Sequence, residues 1–99
     1  MRLTESQIES IRQAVIETFG PGSQVWLFGS RVDDSKRGGD IDLLVRPGPE
    51  EMNNLLHKKI RLLGQLERAL GERKIDIVIE HHDDFRPIIQ IAHQTGIGL

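Results

Sequence analysis

The chain has 99 residues, no cysteine, and 13 Lys and Arg against 15 Asp and Glu, which gives a formal net charge of −2. This length suits one domain over residues 1–99 with a single core. The charge balance provides no broad basic surface, so direct nucleic-acid binding is not expected, and the lack of cysteine excludes disulfides and thiolate metal sites. No apolar run is long enough to cross a bilayer, and the first residues lack the apolar core of a signal peptide. We therefore expect a cytoplasmic protein without membrane contact.

Hydrophobic periodicity and turn residues predict the element order α-β-β-α-β-α. Thr4 has the spacing of a capping box with Gln7, Gly71 is placed to end the long second helix, and Asp83 or Asp84 is expected to cap the last helix. The predicted elements are a helix over 5–19, strands over 24–28 and 41–46, a helix over 50–70, a strand over 74–80, a helix through 88–92, and a tail over 95–99 that could add a short edge strand.

The second and third strands each carry acidic residues on one face only. Side chains two residues apart on a strand point to the same face, so Asp40 and Asp42 project together while Ile41 points the other way. Asp76 in the third strand likewise points away from its two flanking isoleucines. This pattern predicts an α/β (α+β) fold: a small mixed sheet with helices packed on one face and an active site on the other.

These carboxylates have the chemistry of a metal site. Two carboxylates held side by side are costly unless a cation neutralises them, and Mg²⁺ prefers such oxygen ligands together with substrate phosphates. The Gly29-Ser30 turn upstream offers backbone N–H groups and a hydroxyl to those phosphates. If the third strand lies beside the second, Asp76 joins Asp40 and Asp42, and such a cluster can hold two metal ions. The alternative is that each Asp simply faces solvent, although Asp is depleted in strands.

Gly29-Ser30, a nine-residue spacer, Asp40-Ile41-Asp42 and the later Asp76 resemble the signature of the DNA polymerase β-like nucleotidyltransferase superfamily. The short chain and the form of the segment Leu27–Arg31 look like the minimal nucleotidyltransferases, which are often paired with HEPN-domain proteins in toxin–antitoxin modules. The resemblance covers nearly the whole chain and implies the nucleotidyltransferase fold. One departure from the family pattern is the pair Asp33 and Asp34. We interpret them as solvated loop residues; the alternative is that their charges weaken nucleotide binding.

The resemblance also implies an activity and a role for each matching residue. The three carboxylates would ligate two Mg²⁺ ions, for which Mn²⁺ could substitute, and the turn residues would bind the triphosphate of ATP as the donor substrate. AMP would pass to a hydroxyl of a protein acceptor, such as a HEPN-type toxin that this chain neutralises as an antitoxin. The implied catalytic and metal-binding residues are Asp40, Asp42 and Asp76, and the implied nucleotide-binding residues are Gly29, Ser30 and Arg31.

The sequence leaves two functions open. One is this enzyme activity, and the other is a catalytically weak binding module that neutralises a partner protein by forming a complex. The Gly-Ser turn argues against a third interpretation, a metal-dependent phosphatase or nuclease. Both open functions predict a partner protein, and a homo-oligomer is compatible with either. A partner surface is expected along the last helix, and the equally weighted alternative is that its apolar residues all pack inside the domain. These residues are Phe85, Ile88, Ile89 and Ile91.

Overall fold

The computed structural model describes residues 3–29, 40–71 and 73–99. The elements in chain order are α1 (Glu5–Phe19), β1 (Gln24–Phe28), β2 (Ile41–Arg46), α2 (Leu55–Leu70), β3 (Ile75–Ile79), α3 (Pro87–Thr95) and β4 (Ile97–Gly98). This order confirms the predicted α-β-β-α-β-α fold, and the short edge strand in the tail is confirmed as β4. No helix within the described ranges combines the length and apolar character that crossing a membrane requires.

Capping explains where the helices begin and end. Thr4 accepts a hydrogen bond from the Gln7 backbone, and the Gln7 side chain accepts one from Thr4 N–H, so the predicted capping box is confirmed. Gly71 ends α2, as predicted. The helix α2 begins at Leu55 rather than at residue 50, because Pro49–Glu51 form a short 3-10 helix and Asn54 adopts a left-handed backbone with φ 52°.

The strands form one mixed sheet in the order β3-β2-β1-β4. β1 is antiparallel to both β2 and β4, whereas β2 and β3 are parallel and are connected by the crossover helix α2. The register pairs Phe28 of β1 with Asp42 of β2, and Asp42 with Asp76 of β3. The sheet therefore brings residues from three strands to one end of the same face.

The helices α1 and α2 cover the other, apolar face of the sheet. Strand alternation directs every second residue of the strands toward them, as predicted, and Thr18 of α1 donates a hydrogen bond of 3.3 Å to Gln65 of α2. The core buried between the helices and the sheet includes Ile11, Val15, Phe19, Leu27, Ile41, Leu43, Val45, Leu62, Leu66 and Ile77.

The helix α3 packs on the opposite face, which corrects the expectation that the helices cover one face only. Ile89 and Ala92 are buried there against Phe28 and Leu44, which point away from the main core. These two strand residues make part of that face apolar, so a helix can cover it. The surface expected along α3 is corrected as well: Ile89 is 4% exposed, whereas Phe85 is 80% exposed.

Two polar clusters hold the ends of the α3 segment. The expected cap by Asp83 or Asp84 is wrong, because Arg86 is the residue before the helix and Pro87 begins it. Asp84 instead accepts hydrogen bonds from the Arg86 side chain and, with a smaller effect, from His81 N–H, which keep the pKa of its carboxyl well below the usual range. At the other end, His93 contacts Glu80 in a cluster with Arg46 and Trp26.

Candidate active site

Two of the three predicted carboxylates lie side by side on neighbouring strands. Asp42 is the second residue of β2 and Asp76 is the second residue of β3, and the parallel register sets them side by side. Neighbouring strands are about 4.8 Å apart, so the side chains of register partners on one face lie close together, and the negative charge of Asp76 acts on the Asp42 carboxyl. Asp40 directly precedes β2 and lies close enough to act on Asp42 through its charge.

Asp42 is the electrostatic centre of this group. Partial burial is the main reason that the pKa of its carboxyl is raised, and the negative charges of Asp76 and Asp40 raise it further. The positive charge of Lys74 acts in the opposite direction. Burial and like charges disfavour the ionised form of a carboxyl, so positive charge placed here would be stabilised.

Gly29 brings the turn after β1 against Asp42. Its backbone has a φ of +78°, a left-handed conformation that favours glycine. A Cβ at this position would overlap Asp42 Oδ2 and would lie 3.1 Å from Asp42 Cγ. Ser30 and Arg31, which are predicted to bind phosphate, lie outside the described ranges. The pair Asp33 and Asp34 lies outside them as well. For these residues the sequence interpretation stays a prediction.

The carboxylates of this site suit a divalent cation, although the described side chains do not form a complete set of metal ligands. Within the described residues, no three Asp, Glu or His side chains form a group that could hold a metal ion. Asp42 and Asp76 nevertheless offer adjacent carboxylate oxygens, and the charge of Asp40 acts on the same point. Oxygen ligands of this kind suit Mg²⁺, which commonly uses one or two carboxylates and completes its shell with waters and phosphates.

Sequence reasoning missed Lys74 as a member of this site. Lys74 lies two residues before Asp76 on the same face, and its backbone carbonyl accepts a hydrogen bond of 2.9 Å from Ile41 N–H at the start of β2. The even-numbered alternation that identified Asp76 also includes Lys74, so the signal was present in the sequence. A cation next to this carboxylate group can also attract an anionic substrate.

Comparison with protein families agrees with this geometry. The model of the family described as "Nucleotidyltransferase domain" matches residues 8–96. The chain therefore belongs to the nucleotidyltransferase domain family, and this membership supports nucleotidyl transfer as its general function. None of the curated proteins compared with the chain matches it.

Proposed function

We propose that this chain is a Mg²⁺-dependent enzyme of the cytoplasm that transfers AMP from ATP to a hydroxyl group of a protein acceptor. The observation that carries the proposal is the parallel register that sets Asp42 beside Asp76, with the glycine backbone of the turn after β1 packed against Asp42. In a nucleotidyltransferase domain, this arrangement places acidic side chains beside a turn that a phosphate chain can approach.

Each described site residue has a role in this reaction. Asp40, Asp42 and Asp76 would hold two Mg²⁺ ions, which when bound supply positive charge for the triphosphate. The open backbone at Gly29 lets the phosphates approach without a side chain in the way. Asp76 is exposed and faces the open side of the site, so it orients the acceptor hydroxyl and accepts its proton. The acceptor oxygen forms a bond to the α-phosphorus, and the bond to the leaving pyrophosphate breaks.

The proposed acceptor is a partner protein, specifically a HEPN-type toxin that modification would neutralise. The resemblance to the minimal nucleotidyltransferases supports this choice. The structure contributes an apolar surface outside the core: Phe85 is 80% exposed and Ile91 is 50% exposed, on the segment that follows β3. Exposed apolar residues of this kind are common at protein interfaces.

The test measures nucleotide binding and transfer separately. Asp42→Asn should abolish the binding of ATP with Mn²⁺ in calorimetry, because Asp42 lies at the centre of the carboxylate group. Asp76→Asn should keep most of this affinity and lose at least ~10²-fold in transfer of label from α-labelled ATP, the scale of a lost general base. Asp83→Asn is the matched control, since the Asp83 side chain is 77% exposed and lies after β3. Unchanged metal-dependent binding in Asp42→Asn would refute the assigned site.

A second candidate is a binding module that neutralises its partner without modifying it. Two observations favour it. Phe85 and Ile91 are exposed, and among the described residues no three acidic or histidine side chains form a group that could hold a metal ion. The two candidates differ in one measurement, which is partner neutralisation by Asp76→Asn. Full neutralisation by this variant, together with no detectable label on the partner, would support the binding module.

A further inference from the structure

The outer edge of β3 runs directly beside the candidate active site. β3 is the last strand in the order β3-β2-β1-β4, so no strand among the described residues pairs with its outer side. Asp76 lies on this edge strand, on the same face as Asp42. A strand edge presents a row of backbone N–H and C=O groups that can pair with an added strand.

The hydrogen bonds of the sheet show which residues point outward. Ile41 N–H donates to Lys74 O at 2.9 Å, and Glu80 N–H donates to Val45 O at 2.8 Å. The even-numbered residues of this segment therefore direct their backbone groups to β2. Because backbone direction alternates along a strand, Ile75, Ile77 and Ile79 direct their groups outward. Arg86 donates to Ile79 O at 2.7 Å, which leaves the stretch around Ile77 as the part best placed for pairing.

An antiparallel strand added here would hold a side chain against Asp76. The outward residues would form the hydrogen-bonded pairs, so Asp76 would belong to a pair without hydrogen bonds, in which opposite side chains approach most closely. Cβ atoms of opposite residues are about 4.5–5.5 Å apart. A serine opposite Asp76 would place its hydroxyl within hydrogen-bond reach of the carboxylate.

The other face of the same edge forms a groove for the neighbouring residues. Its volume is about 280 Å³, and its lining includes Leu56, Lys59, Ile77 and Ile79. Leu56 is 72% exposed, and Ile60 one turn later is 61% exposed. Lys59 has no ion pair or hydrogen bond with any other described residue, so the groove carries an uncompensated positive charge within the described ranges.

We propose that the acceptor binds as an extended strand on the outer edge of β3, with its reactive hydroxyl opposite Asp76; this inference rests on the proposed function. In the antiparallel register, the residue before the hydroxyl lies opposite Ile77 and faces the apolar groove. The residue three positions before the hydroxyl lies opposite Ile79, on the side of Lys59. The acceptor segment therefore has an acidic residue, a spacer, an apolar residue and a hydroxyl residue in that order.

Charge favours such a segment over a second copy of this chain. If two β3 strands paired about a two-fold axis at Ile77, the two Asp76 residues would be diagonal neighbours about 7–8 Å apart. Like charges at this spacing repel. An acceptor with an acidic residue near Lys59 and a neutral hydroxyl near Asp76 complements both charges.

The probe is a ten-residue peptide whose only hydroxyl is one serine, with valine immediately before it and glutamate three positions before it. Transfer of AMP to this peptide is compared with transfer to a peptide in which the valine nitrogen is methylated. The methyl group removes the donor to Ile77 O but keeps the side chains, so we expect KM to rise about tenfold with kcat unchanged. A KM equal to that of the parent peptide would overturn the proposal.

A charge exchange tests the direction of binding. Lys59→Glu should raise KM for the glutamate peptide about threefold, and a peptide with lysine in place of glutamate should restore it. Ile16→Glu, on the exposed side of α1 and 40% exposed in the wild type, is the control and should change neither value. Equal effects of Lys59→Glu on both peptides would overturn the assigned order of residues.

Hydrogen exchange at the backbone amides separates this inference from the proposed function. The peptide should slow exchange at Ile75 and Ile77. Slowed exchange without AMP transfer to any acceptor would refute the proposed function and support the strand site. Transfer to other hydroxyl compounds, without slowed exchange and without transfer to the peptide, would refute the strand site alone. Protection of Ile77 that rises with protein concentration in the absence of peptide would assign the edge to a second copy and overturn the proposal.

Discussion

Replacing Gly29 with alanine should disturb both the turn and the carboxylate group. A left-handed conformation such as the φ of +78° at Gly29 costs a residue with a Cβ about 1–2 kcal/mol. The new Cβ would also overlap Asp42 Oδ2 and lie 3.1 Å from Asp42 Cγ, so the half-buried Asp42 carboxyl would have to turn away. We expect this second effect to add about 0.5–3 kcal/mol, the range of coupling between residues in contact.

Gly71→Ala is a control in which only the backbone effect is present. Gly71 has a φ of +85°, and a Cβ there would have no heavy atom of the described residues within 4 Å. This substitution should therefore lose only the conformational part, about 1–3 kcal/mol, because φ 85° with ψ −168° is a backbone region that essentially only glycine adopts. When Asp42 is replaced by alanine as well, Gly29→Ala should lose only its own conformational part, because the overlapping carboxylate is gone.

The assay is urea unfolding followed by the fluorescence of Trp26, the single tryptophan of the chain. In thermal unfolding, each kcal/mol corresponds to about 4–8 °C for a domain of this size. Gly29→Ala should also weaken ATP binding in the presence of Mn²⁺, whereas Gly71→Ala should not. A loss of stability on Gly29→Ala that is the same with Asp42 present and with Asp42 replaced by alanine would refute the close packing of the turn against Asp42.

Further substitutions test the electrostatics and the packing. Asp42→Asn should be more stable than the wild type at about pH 7. The pKa of Asp42 is raised in the folded state, so ionisation of this carboxyl costs the wild type stability as the pH rises through that pKa. The advantage of the variant should disappear at about pH 4, as measured by urea unfolding at both pH values. Ile89→Ala should lower the free energy of unfolding by about 2–5 kcal/mol, because the Ile89 side chain is buried between α3 and the sheet. Phe85→Ala should change this free energy by no more than about 0.5 kcal/mol. Similar losses for the two variants in denaturant titrations would contradict the assigned burial. Thr4→Ala should lose about 1 kcal/mol through the broken capping box, a loss that thermal unfolding would detect.

The sequence by itself determined the features that depend on local backbone geometry. Alternation along β3 separates its isoleucines from Asp76 whatever the rest of the chain does, because neighbouring side chains on a strand point to opposite faces. The capping box of Thr4 and Gln7 spans one helical turn and is local as well. The spacing from Gly29 to Asp40 and Asp42 could be matched to a family, since it reflects only positions in the chain.

Only the tertiary structure decided which of these local features meet. The parallel pairing of β3 with β2 sets Asp76 against Asp42, although they are far apart in the chain, and this pairing depends on the crossover by α2. Burial in the α3 segment was also undecided, because a short apolar run does not show which residues the sheet will cover. The structure buries Ile89 and leaves Phe85 exposed, since Phe28 and Leu44 provide an apolar surface on one side of α3 only.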